Sequence, residues 1–95
     1  MVNLGDTFQL KGECTDLDGV AEDPDSQSIR LYDVEDTLID TDTNPTAGVP
    51  TGEFYANLEA KDTGETGAWT ALWEVTKGVE KRTVIFDVEV KSLLG

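Results

Sequence analysis

Gly67-Ala68-Trp69-Thr70-Ala71-Leu72-Trp73-Glu74-Val75, followed by the run from Arg82 to Lys91, decides the fold class. Trp69, Ala71, Trp73 and Val75 alternate with Ala68, Thr70, Leu72 and Glu74. A period of two places the first set on one face of a β-strand. Val84, Phe86, Val88 and Val90 alternate in the same way with Thr83, Ile85, Asp87 and Glu89. Joined through Lys77-Gly78, the two runs predict a long hairpin with tryptophan, phenylalanine and valine on its inner face.

Working outward, Lys61 to Gly67 is a glycine-bounded loop. Before it, Gly52 opens a strand in which Phe54, Ala56 and Leu58 alternate with Tyr55, Asn57 and Glu59. Thr43 to Pro50 holds two prolines and a glycine, has no period, and reads as loop. Ser28 to Val34 predicts a strand with Ile29 and Leu31 on one side and Arg30, Tyr32 and Val34 on the other. A tight turn at Glu35-Asp36 leads into Thr37 to Thr41, a short edge strand where Asp40 and Asp42 would deter pairing with another chain. Asp6 to Cys14 is the first strand, with Phe8, Leu10, Gly12 and Cys14 facing one way. Asp16-Leu17-Asp18-Gly19 is a turn, and Glu22-Asp23-Pro24-Asp25-Ser26 an acidic loop in which Pro24 denies a sheet its donor.

Six or seven strands spaced by about ten residues, with no helical period, predict an all-β sandwich or small barrel. Its expected core is Phe8, Leu10, Ile29, Leu31, Phe54, Leu58, Trp69, Trp73, Val75, Val84, Phe86 and Val88. Trp69 and Trp73 would form a platform for sugars if their face were open, but their period matches a second apolar strand and favours core.

The chain has 95 residues, 20 acidic and 7 basic, for a formal charge of −13. That length predicts one domain, residues 1–95. A field of that sign repels nucleic acid and anionic membrane, so neither is an expected partner. The acidity reads either as ordinary solubilisation or as adaptation to high salt, and twelve threonines against five lysines fit the second. Cys14 is the single cysteine, and with no histidine in the chain a thiolate would lack its usual base. Residues 1–6 show no charged segment followed by an apolar run, and no stretch approaches transmembrane length. The expectation is a complete gene product folded in the cytoplasm.

Gly5-Asp6, an apolar strand, Asp18-Gly19, Asp23-Pro24, a strand, Thr51-Gly52-x-Phe54, Gly67-x-Trp69, Trp73 and a closing Phe86-x-Val88 follow one another in an order that covers nearly the whole chain. It resembles that of immunoglobulin-like β-sandwich modules, among them macroglobulin-type domains and small proteins of bacterial and archaeal virus particles. In such modules a Thr-Gly-x-Tyr step begins one core strand and a Gly-x-Trp step the next. Phe54 stands here where tyrosine is usual, and the paired cysteines of antibody domains are missing. The resemblance implies a single Ig-like antiparallel sandwich.

The acidic loop is the first place to look for chemistry. Asp16, Asp18, Gly19 and Asp25 fall at positions three, five, six and twelve of an EF-hand-like loop. Position one would be Cys14, a soft ligand for a hard ion, and no flanking helix is expected, so the loop fails as an EF-hand. A looser calcium site from Asp16, Asp18, Asp23 and Asp25 is the alternative to a solvated turn. Asp40-Thr41-Asp42-Thr43-Asn44 has similar spacing, but Pro45 stands where glycine is needed. Carboxylate pairs arise by chance at this density, and no nucleophile triad or phosphate-binding loop is present, so no enzyme is expected. The tail Ser92-Leu93-Leu94-Gly95, apolar and uncharged, is either the frayed end of a strand or a docking segment presenting Leu93 and Leu94.

The resulting expectation is a structural virion protein of a tailed virus, a capsid decoration, neck or tail component made in the host cytoplasm. Its partners would be capsid, portal or tail subunits, met by several copies in a symmetric particle. The alternative is an Ig-like ligand- or calcium-binding module of a secreted or cell-surface protein.

Overall fold

The computed structural model describes residues 2–16, 18–49 and 51–92. Eight strands run in order: β1 Val2–Asn3, β2 Thr7–Glu13, β3 Ser26–Tyr32, β4 Leu38–Asp42, β5 Thr46–Ala47, β6 Glu53–Glu59, β7 Gly67–Lys77 and β8 Glu80–Lys91. They form a five-stranded sheet, β1-β8-β7-β3-β4, packed on a three-stranded one, β2-β6-β5. The chain is all-β, with no helix among the described residues.

The β7–β8 hairpin sets the frame. Trp69 lies opposite Val88, Ala71 opposite Phe86 and Trp73 opposite Val84, as the two alternating patterns require. Its connection is the two residues Gly78-Val79, and only Gly78 has positive φ, at 60°. That is the type II′ geometry, whose twist matches the strands it joins. β3 pairs with the other side of β7, bringing Ile29 beside Trp73 and Leu31 beside Ala71. Phe54, Ala56 and Leu58 of β6 face this layer from the second sheet, and all three are buried.

Trp69, Ile29, Leu31 and Val90 are the largest side chains fully shut from solvent. Both indoles sit against glycine. A Cβ on Gly12 would lie 2.7 Å from Cη2 of Trp73, and one on Gly64 would lie 2.6 Å from Cζ2 of Trp69. Each indole N–H is also satisfied, Trp69 donating to the Glu65 carbonyl at 2.6 Å and Trp73 to Gln27 Oε1 at 3.0 Å. Trp73 and Phe86 meet with ring centroids 5.9 Å apart. Such a tilted pair adds about 1 kcal/mol beyond the area it buries.

Several expectations need correction. β1 pairs parallel with β8, so the larger sheet is not wholly antiparallel. β5 lies within the segment expected to be plain loop, pairing Thr46 with Tyr55 and Ala47 with Phe54. Two-residue strands carry no period, and their partners rather than their own residues define them. Val84 is 48% exposed and lies outside the core, because the three-stranded sheet does not extend over that part of β8. Phe8, Leu10, Val75 and Phe86 pack on the core while half-buried. Ile39 enters it unannounced: the register slips between Leu31 and Tyr32, leaving Ile39 unpaired in a bulge that turns it inward.

Candidate functional site

The two long sides of the sandwich differ. On one, β4 lies against β6 and is tied to it by carboxylates. Asp42 Oδ2 accepts the Asn57 N–H at 2.9 Å and Asp40 Oδ2 accepts the Glu59 N–H at 2.8 Å. β5 pairs with β6 only at Tyr55 and Phe54, and the two aspartates take the donors beyond it. Their expected role was to repel a foreign strand. In the fold they stand opposite Leu31 and Ile29 and face inward, closing this side.

The opposite side, between β2 and β8, is open. A groove of about 320 Å³ runs into it, lined by Gly12, Cys14, Phe54, Trp73, Val84 and Phe86. Lys11 stands at its rim, 3.5 Å from Glu53. Arg82 crosses the end of the gap, donating to the Thr15 carbonyl and pairing with Glu80 at 2.8 Å. The Cys14 thiol is 8% exposed. Burial pushes its pKa up, Glu22 adds to that, and Arg82 opposes it. The thiol therefore stays protonated and lends the groove a small apolar wall rather than a nucleophile.

The acidic residues are drawn to separate places. Asp16 Oδ1 accepts the N–H groups of Asp18 at 2.8 Å and Val20 at 2.9 Å, closing its own turn. Asp23 Oδ1 accepts the Gly52 N–H at 3.2 Å, and Asp25 Oδ2 accepts the Gly78 N–H at 2.7 Å at the hairpin tip. Asp18 is exposed. These four carboxylates do not converge, and among the described residues no group of three or more histidine, cysteine, aspartate or glutamate side chains could hold a metal ion. Leu93 and Leu94, the expected docking residues, lie outside the described residues.

One acidic residue has a role that sequence reading missed. Asp33 is 5% exposed and accepts three backbone N–H groups. Its Oδ1 takes Glu35 at 2.9 Å and Thr37 at 3.0 Å, and its Oδ2 takes Glu65 at 3.2 Å. Burial alone would raise its pKa, but the donations from Thr37, Glu65 and Glu35 together hold it below the ordinary carboxylate range. It pins the β3–β4 turn to the β6–β7 loop. The local sign was Asp33 two residues before a turn, where aspartate bonds its own backbone. The long-range half, Glu65, had no sequence signal.

No protein-family model matches this sequence, and no curated protein and no solved structure was found to match it.

Proposed function

We propose that this chain is an Ig-like structural module of a tailed virus particle, binding neighbouring subunits through its surface shape and carrying out no chemistry of its own. The strand order supports the Ig-like part. β2-β6-β5 against β8-β7-β3-β4 matches the B-E-D and G-F-C-C′ arrangement of that sandwich, with β1 as the leading strand. The observation that carries the interaction role is the open side, where a bare strand edge and an apolar groove stand next to each other. Such surfaces suit association with another protein, whereas an active site brings polar groups together at one point. The step from fold to virion is analogy, since one fold hosts many functions.

Mass spectrometry of purified particles from a host carrying the gene tests this reading. The protein should be present at a fixed ratio to the capsid subunit, and its absence sinks the proposal. A second reading, a ligand-binding module of a surface protein, draws on the same groove. There, an apolar ligand rather than a subunit would fill the space between Trp73 and Phe86. A reading frame that continues from this segment into an exported chain would favour it.

A further inference from the structure

β8 is the longest strand, and one of its edges is almost bare. β7 covers the other edge from Lys77 opposite Glu80 to Gly67 opposite Val90. On the bare side, among the described residues, only Val2 and Asn3 pair with it, at Val90 and Lys91. The Leu4 N–H donates to the Lys91 carbonyl at 2.8 Å, so Lys91 turns its peptide groups to that side. Every second residue before it does the same. The peptides of Lys81, Thr83, Ile85 and Asp87 therefore face outward where no strand pairs with them. Val84, 48% exposed, and Ile85, 64% exposed, stand at the middle of this stretch. A long unpaired edge with an apolar centre is a template for another strand.

We infer that the occupant is the same edge of a second copy, paired antiparallel about a two-fold axis at Val84. A strand paired with itself in this way sets a residue on its own symmetry mate, and an axis at the exposed apolar centre of the edge falls on Val84 or on Ile85. An axis at Ile85 would bring Glu80 onto Val90, where β1 already sits. The axis at Val84 keeps the paired stretch, Lys81 to Asp87, clear of β1. Ile85 then exchanges both peptide hydrogen bonds with Thr83 of the partner subunit. On the outer face Lys81, which also holds Glu74 of its own subunit at 3.1 Å, stands opposite Asp87 of the partner subunit, and the symmetry makes that attraction twice. A contact that complements itself in this way is what a closed dimer needs. It joins two five-stranded sheets into one of ten strands. The inference deepens the interaction reading by naming a second copy as the occupant of the same bare edge, and it is tested on the isolated chain, apart from any virus particle.

Sedimentation equilibrium of the full chain tests it across roughly 0.15 to 1 M salt, where the screening length falls from about 8 to about 3 Å. Each copy carries −13, so the dimer should tighten as salt rises. Lys81→Asp and Asp87→Lys each set like charges opposite one another at two positions and should weaken the dimer by about tenfold or more. An equimolar mixture of the two variants restores both attractions and should recover a heterodimer near wild-type affinity. Circular dichroism checks that each variant folds. As a readout that needs no variant, amide exchange at Thr83 and Ile85 should slow with rising protein concentration in the wild type. A monomer at millimolar concentration throughout the salt range overturns the inference. So does association that neither charge reversal weakens, or exchange that does not depend on concentration.

Discussion

Gly64→Ala should destabilise this protein because of one tryptophan, and removing that tryptophan's outer ring should abolish the penalty. A Cβ at Gly64 would lie 2.6 Å from Cζ2 and 2.8 Å from Cη2 of Trp69, and 3.1 Å from Cδ1 of Ile39. Ordinary carbon contacts fall near 3.5–4.0 Å, so the new methyl overlaps the indole by roughly 1 Å. Trp69 is fully buried and held by its bond to Glu65, so it has no free space to move into. Overpacking of this kind costs about 1–3 kcal/mol. Gly64 is not in the positive-φ region, so alanine also removes unfolded-chain entropy, a gain of about 0.4–1 kcal/mol. The net loss is therefore about 1–2 kcal/mol, or on the order of 5–15 °C in Tm for a domain of this size. Trp69→Phe removes Cζ2 and Cη2, so in that background Gly64→Ala should be neutral or slightly stabilising. Urea denaturation of the four proteins, followed by the fluorescence of Trp73, gives the coupling directly. A coupling of about 1–3 kcal/mol is expected, with no change in slope. Additive effects, or a Gly64→Ala variant more stable than the parent, would refute the reasoning.

Asp33→Asn keeps the shape but presents an amide N–H to the Glu65 N–H, so the variant should melt lower at neutral pH. The folded pKa of Asp33 lies below its unfolded value, so its contribution is present above the ordinary carboxylate range and lost as pH falls through the folded value. The gap in Tm between parent and variant should therefore narrow below about pH 4, and a gap independent of pH would contradict the assignment. Asp42→Ala leaves the Asn57 N–H without its acceptor and should cost about 1 kcal/mol in chemical denaturation. An unchanged midpoint would mean that water serves that donor equally well. Raising salt from dilute to molar should raise Tm, because self-repulsion at −13 is screened, and a flat response would show that the charge is too spread out to matter.

Period and burial made the five longer strands legible together with much of the core. Trp69, Trp73, Ile29, Leu31, Phe54 and Leu58 were all placed inward by alternation, and a one-residue slip would have reversed them. Val84 obeyed the same alternation and is exposed, because the pattern gives a face and not the width of the sheet opposite. Ile39 broke the alternation through a bulge, which depends on how β3 pairs. The carboxylates of Asp40 and Asp42 were visible as residues on an edge strand, but their acceptor role depends on β5 beginning only at Thr46, which leaves Asn57 and Glu59 unpaired by it. Asp16 closes the turn that its own spacing predicted. Asp23, Asp25 and Asp33 each reach a residue at least 29 positions away, and no spacing rule finds such a partner.

The acidity and the bare edge of β8 are two aspects of one design. Strand edges are usually blunted locally, by a lysine turned inward, a proline or a bulge. β4 has both a bulge and inward carboxylates, and it is closed onto β6. Around Val84 and Ile85 β8 has no bulge or proline, and its nearest inward charge is Arg82, held across to Thr15. There the protection is global. Any two copies approach against the repulsion of −13 on each, and only a register that sets Lys81 opposite an acid lowers that barrier at the contact itself. Moving the axis to Thr83 sets Lys81 opposite Ile85 and loses both attractions, while moving it to Ile85 sets Lys81 opposite Glu89 but runs Glu80 into β1 at Val90. A strongly charged chain can thus leave a long edge open and still admit one pairing over its neighbours. In molar salt the barrier falls for every register alike, and the choice among them then rests on Val84 and Phe86 and on the obstruction by β1.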